Sequence, residues 1–151
     1  MDEKERLRLA VGDLLRIFLI NERAFPSAEG QIPYSPHVFK AVGMLAEHPN
    51  ARASDLQEHL GLVPTTASSL IKRLVAQGWV TRAPHPEDGR AVALSLTPAG
   101  EELYAAIHRQ DLVNMELLLS AFEDEERAAF IDMIERAAAR VRAAAEDALR
   151  R

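Results

Sequence analysis

The side chains best placed for chemistry are hydroxyls and cations clustered in one short stretch. Thr65, Thr66, Ser68, Ser69, Lys72 and Arg73 fall within "TTASSLIKR". Hydroxyls at that spacing can donate hydrogen bonds, and the cations that follow can neutralise an anion such as a phosphate. A solvated helix face has the same composition. A second candidate lies in "APHPEDGRAVALSLTP", Ala83 to Pro98, where Arg90 stands alone among turn formers. Asp88, two positions earlier, can accept backbone hydrogen bonds, and Gly89 can take a positive φ. Plain turn chemistry with Arg90 free in water explains the same residues.

Catalytic and metal chemistry find no comparable pattern. His37, His48, His59, His85 and His108 include no pair four apart on one helix, the spacing a zinc site would use. There is no nucleophile elbow and no phosphate loop. Scattered Ser, His and Asp are not a triad without geometry. No catalytic residue, metal or cofactor is expected, so the chain is not expected to be an enzyme. With no cysteine, disulfides, thiol redox sensing and Cys-based zinc sites are excluded.

The elements that must position the two candidates can be read from breakers and periodicity. "ASDLQEHLGLVPTTASSLIKRLVAQGWV" gives a helix over Ala53–Leu60, a turn at Gly61–Val63, and a second helix from Pro64 to Gln77 closed by Gly78. Two short helices around a Gly-containing turn make a helix-turn-helix pattern. Leu56, Leu60, Leu62, Ala67, Leu70, Ile71 and Leu74 can share its core. The hydroxyl and basic residues then fall on the opposite face of the second helix. Trp79–Arg82 and Ala91–Leu96 are strand candidates, with Val92, Leu94 and Leu96 on one face. A two-stranded hairpin is marginal alone and must pack on the helices before it. Its connection, Ala83 to Arg90, is longer than a tight hairpin needs.

Helices flank this centre. Residues 3 to 25 repeat Leu7, Val11, Leu14, Leu15, Phe18 and Leu19 at helical spacing, and a breaker-rich loop runs from Phe25 to Pro36. Ser35 can cap a helix that has Pro36 at its first position and stops before Pro49. Thr97 caps another, opened by Pro98 and running to about Phe122. A last helix spans roughly Asp124 to Leu149, acidic at its start and basic at its end, as the helix dipole favours. Leu112, Val113, Met115, Leu117, Leu118 and Leu119 cover more than one narrow face. That calls for a partner helix, most simply from a second copy in a two-fold dimer. An intramolecular helical hairpin is the alternative.

The chain has 151 residues, 48% hydrophobic and 27% charged, which suits one soluble domain with a real core. Its most apolar early segment, Leu7 to Ile20, is broken by Arg8, Asp13 and Arg16. Neither a membrane span nor a signal peptide is expected, which points to the cytoplasm and to no membrane partner. The net charge of −5 argues against nucleic acid, but its distribution is uneven. Ala51–Thr97 holds five basic and four acidic residues, so it is +1 and the remainder −6.

The ordered set of segments resembles the MarR family of bacterial transcription regulators over almost the whole length, most specifically from Leu56 to Leu103. "LGLVPTTASSLIKRLVAQGWV" is similar to the family's recognition segment. "RAPHPEDGRAVALSLTPAGEEL" is similar to its wing, with Asp-x-Arg at Asp88 and Arg90 and a closing Leu-Thr-x-x-Gly at Leu96, Thr97 and Gly100. The resemblance implies a mainly α fold with a small β-hairpin wing: a winged helix-turn-helix with long N- and C-terminal dimerisation helices. Residues 1–34 and 99–151 would form the dimerisation region and 35–98 the DNA-binding region, as one intertwined domain.

It further implies a homodimeric repressor that binds a pseudo-palindromic operator in double-stranded DNA and responds to a small aromatic or phenolic effector. The second helix of the motif would enter the major groove through Thr65, Thr66, Ser68 and Ser69, with Lys72 and Arg73 on phosphates. Arg90 would enter the minor groove, Asp88 would orient it or the wing, and Arg82 would meet a phosphate. Phe18, Tyr34, His37 and Met44 would line an effector cavity, although core packing suits the apolar ones. The chain departs from the family in places. Val63 and Arg52 stand where a capping Ser or Thr is common, which predicts less firm helix starts. Gln57 replaces a usual Ala, and Ala83, His85 and Gly89 leave the wing sparse in charge. That sparse wing and the acidic balance keep a second class in view, a winged-helix module that binds protein instead of DNA.

Overall fold

The computed structural model describes residues 1–24 and 35–150. Among these described residues, six helices and three short strands follow one another as α1 (Glu3–Ala24), α2 (Pro36–Glu47), β1 (Ala51–Arg52), α3 (Ala53–Leu60), α4 (Pro64–Ala76), β2 (Val80–Pro84), β3 (Val92–Leu96), α5 (Pro98–Leu119) and α6 (Asp124–Leu149). The chain divides into two compact units, Met1–Asp111 and Leu112–Arg151.

The first unit is organised around α2. Ser35 accepts the Val38 N–H at 3.5 Å, and Pro36 occupies the first turn, as expected. Val38, Phe39, Val42 and Leu45 recur at helical spacing and are buried, with Met44 beside them. They meet Leu56 of α3, Leu70, Ile71 and Leu74 of α4, and Val80 and Leu94 of the sheet in one core. Leu60 and Leu62 pack against it from the rim. The turn between α3 and α4 closes on Gly61 at φ 63°, whose N–H donates to the Gln57 and Glu58 carbonyls.

The sheet has three strands, where two were expected. Its order is β1-β3-β2, all antiparallel, with Arg52 opposite Ala93 and Pro84 opposite Val92. β1 spans two residues, too short to show alternation. It is fixed by Asn50, a non-glycine residue at φ 63°. The Asn50 N–H donates to Ser95 Oγ at 3.2 Å, and the Ser95 hydroxyl donates to Asn50 Oδ1 at 3.1 Å. Leu94 is fully buried and Leu96 partly, whereas Val92 at the wing end is exposed, so the expected apolar face covers only the root of the hairpin.

Thr97 and Gly100 lock α5 to that root. The Thr97 hydroxyl accepts the Gly100 N–H at 3.1 Å and donates to the Gly78 carbonyl. The Thr97 N–H donates to the Trp79 carbonyl at 3.0 Å. A Cβ on Gly100 would stand 2.1 Å from that same oxygen, so only glycine lets α5 approach this closely.

In the second unit, α5 ends at Leu119, a turn earlier than its sequence suggests, and α6 begins where expected. The Glu123 N–H donates to Glu126 Oε2 at 3.0 Å, Phe122 stacks on Phe130 with centroids 4.3 Å apart, and Arg127 reaches the Leu119 and Phe122 carbonyls. α6 buries none of its residues.

Gly100→Ala should lower unfolding stability by about 1–3 kcal/mol through overpacking. Gly43, inside α2 with open space around its Cα, should show the opposite sign: Gly43→Ala gains up to about 1 kcal/mol of helix propensity. Urea titrations at one fixed protein concentration check both, and a Gly100→Ala curve overlying the wild type would rule out the tight approach to Trp79.

Candidate nucleic-acid interface

α4 forms because Pro64 opens it and because Ala67, Leu70, Ile71 and Leu74 put one apolar stripe into the core. That burial fixes the outward face. Thr65, Thr66, Ser68, Ser69, Lys72 and Arg73 are all exposed, as expected from spacing. Val63 supplies no side-chain cap. The missing cap weakens the helix start, but it also leaves the first-turn N–H groups open toward an anion at the positive end of the helix dipole. The Ser69 hydroxyl donates to the Thr65 carbonyl at 3.0 Å, so it presents lone pairs outward and not its proton.

The polar residues of α4 divide between two flanks. On one, Ser68 shares a hollow of about 270 Å³ with Ser54 and Gln57 of α3 and Arg82 of β2. Gln57, where the resemblance implies Ala, is accommodated there at the edge of the core. On the other flank, Thr66, Ser69 and Arg73 line a hollow of about 210 Å³ with Ser35, His37 and Leu62. Lys72, Arg73, Arg82 and Arg90 form no ion pair among the described residues. Four cations without a partner among the described residues have the charge to meet phosphates.

The wing is the β2–β3 connection, and it is internally bonded. The His85 N–H donates to the Ala91 carbonyl and the Ala91 N–H to the Asp88 carbonyl, both at 2.9 Å. The Glu87 N–H donates to His85 Nδ1 at 3.2 Å. Asp88 Oδ1 accepts the Arg90 N–H at 3.1 Å, which sets the backbone from which Arg90 projects. Its other oxygen, Oδ2, lies 3.7 Å from Arg52 Nη1. The Arg90 side chain itself is exposed.

Arg52 is the residue that sequence reasoning missed. It stands where a cap was wanted, and its backbone is secured by Asp55 instead: the Arg52 N–H donates to Asp55 Oδ2 at 2.9 Å. The only sequence signal was an arginine in a capping position. Its proximity to Asp88 depends on the β1–β3 pairing, which sequence did not show. Of the residues expected around an effector, Met44 is in the core, Phe18 on α1 is half-buried, and His37 is exposed beside Arg73. Tyr34 lies outside the described residues.

The MarR family model matches residues 35–92, from the cap of α2 to the start of β3. The HTH-type transcriptional regulator PecS of Dickeya dadantii is 28% identical over 122 residues, 79% of this chain and 74% of that protein. The structure of Streptococcus pneumoniae FabT in complex with DNA superposes with a TM-score of 0.80 at 16% identity, covering 93% of this chain and 98% of that one. Streptomyces coelicolor PcaV in complex with its natural ligand superposes with a TM-score of 0.56 at 22% identity, covering 89% and 88%. At these identities the structural likeness establishes the winged-helix fold.

Asp55→Ala removes the acceptor of the Arg52 N–H and should lower stability by about 1 kcal/mol, while Asp55→Asn keeps most of it. Urea unfolding of the two variants measures the difference, and equal losses would show that charge, not acceptance, holds the start of α3.

Proposed function

This chain belongs to the MarR family of transcriptional regulators through residues 35–92, and from that premise we propose a sequence-specific DNA-binding repressor that works as a homodimer. The observation that carries it is the outward face of α4, where hydroxyls and two cations lie exposed on a helix whose other side is locked in the core. Thr65, Thr66 and Ser68 would donate to base edges or phosphates, Ser69 would accept, and Lys72, Arg73 and Arg82 would neutralise phosphates. Arg90 would extend the contact to a neighbouring minor groove, its backbone set by Asp88. FabT, whose fold this chain shares, binds DNA, which supports that assignment.

Residues 1–34 and 99–151 would build the dimer. Leu7, Val11 and Leu15 of α1 and, separately, Met133, Ile134 and Val141 of α6 are all more than 40% exposed in the single chain, and a second copy would cover each of these two apolar faces. Two α4 helices would then read half-sites about one helical turn apart in a pseudo-palindrome. A small aromatic or phenolic effector would change the separation of those helices and with it DNA affinity. PcaV carries its natural ligand on the same fold, which makes an effector reasonable here, with Phe18, Tyr34, His37 and Met44 as candidate lining. No described helix is long and apolar enough to cross a membrane, in keeping with a cytoplasmic regulator.

Titration onto the chain's own upstream DNA at two salt concentrations tests the DNA contact. Binding should exceed that to random duplex and should fall with salt by about 0.9 log units per log unit of salt for each phosphate neutralised. Arg90→Ala should weaken binding about tenfold and leave the fold intact. No preference over random duplex would instead favour a winged-helix module that binds protein. Light scattering should give the mass of two chains; a monomer at micromolar concentration would remove the dimer. A thermal-shift series of aromatic acids checks the effector, and uniform melting curves would remove it.

A further inference from the structure

The Arg52–Asp88 pair connects the root of the motif to the tip of the wing. Thirty-six positions separate the two residues in sequence, yet Nη1 and Oδ2 are 3.7 Å apart, with the side chains 43% and 41% exposed. Arg52 is attached to rigid elements on both sides. Its backbone pairs with Ala93 in the sheet, and its N–H is held by Asp55 in the first turn of α3. Asp88 belongs to a turn whose bonds fix the Arg90 backbone.

The charges give the pair its significance. From Ala83 to Ala91 the wing carries Glu87 and Asp88 against Arg90 alone, a net −1. A tip of that sign repels the phosphates it must approach, and one guanidinium cannot offset two carboxylates. Arg52 reaches Asp88 from the first-helix side and brings the local balance to zero. It also ties the tip to α3.

We propose that Arg52 is a positioning residue for the wing: through Asp88 it neutralises the tip and holds the turn from which Arg90 projects. It makes no phosphate contact of its own. The proposal rests on the wing being a DNA contact, as set out above. The effect is bounded by the exposure of the pair, because partly solvated ion pairs are screened.

Two measurements test it, one of them without DNA. Hydrogen exchange of the 84–91 segment should be about two- to fivefold faster in Arg52→Gln than in wild type and close to wild type in Arg52→Lys. Unchanged exchange in Arg52→Gln overturns the anchoring role, whatever the protein does with DNA. On the upstream duplex, Arg52→Gln should weaken binding about two- to fivefold with an unchanged salt slope. In an Asp88→Asn background, which keeps an acceptor for the Arg90 N–H, Arg52→Gln should add no further loss. A loss that persists in that background, with a slope lower by about 1, would make Arg52 a direct phosphate ligand and overturn the proposal. A wild-type protein that shows no preference for the upstream duplex fails the functional assignment, and exchange alone then decides the anchor. Matching urea midpoints across the variants confirm that none of the differences is unfolding.

Discussion

Leu94 is the point at which the sheet becomes part of the protein. It is fully buried among α2, α3 and α4, and its strand, β3, is the central one. Three strands of two to five residues have too little surface to stand alone. Removing Leu94 from water commits β3 to the helices, and β1 and β2 follow by hydrogen bonding on either side of it. The Thr97–Gly100 lock then carries the chain from the root of the hairpin directly into α5. The wing can project because its root is fixed in this way, and its exposed end needs no core of its own.

The same core decides what α4 displays. Ala67, Leu70, Ile71 and Leu74 cannot turn outward without opening the interior, so the hydroxyls and cations between them are held at the surface. Each of these polar groups is ordinary. Their value lies in being fixed on a rigid cylinder, with the uncapped positive end of the helix beside them. A chain with net charge −5 can still present a local basic surface, because the acidic excess lies outside the 51–97 segment.

Electrostatics in the wing follows a different principle. Glu87 and Asp88 would be liabilities on a DNA-facing loop, yet Asp88 is needed to set the Arg90 backbone. Using one oxygen for the Arg90 N–H and the other toward Arg52 reconciles the two demands. The arginine that sacrifices a conventional helix cap at the start of α3 becomes available to the wing, and Asp55 secures the backbone in its place.

Sequence alone determined the elements whose signals are local. Ser35–Pro36, Val63–Pro64, Gly78 and Thr97–Pro98 mark helix boundaries through backbone chemistry that acts over a few residues. The 3.6-residue period of α4 was enough to separate its buried stripe from its polar face. Tertiary structure decided what depends on distant chain segments meeting. β1 is too short to carry a period, and it forms where its backbone pairs with β3 and Asn50 and Ser95 clasp the two together. Gly100 has an evident function only once the Trp79 carbonyl is seen beside it. Ser69 loses its outward proton to a backbone oxygen, which composition cannot show. Arg52 and Asp88 are ordinary surface charges in the sequence, and only the antiparallel pairing of β1 with β3 brings them together, because side-chain charge has no reach along the chain comparable to what folding supplies across it.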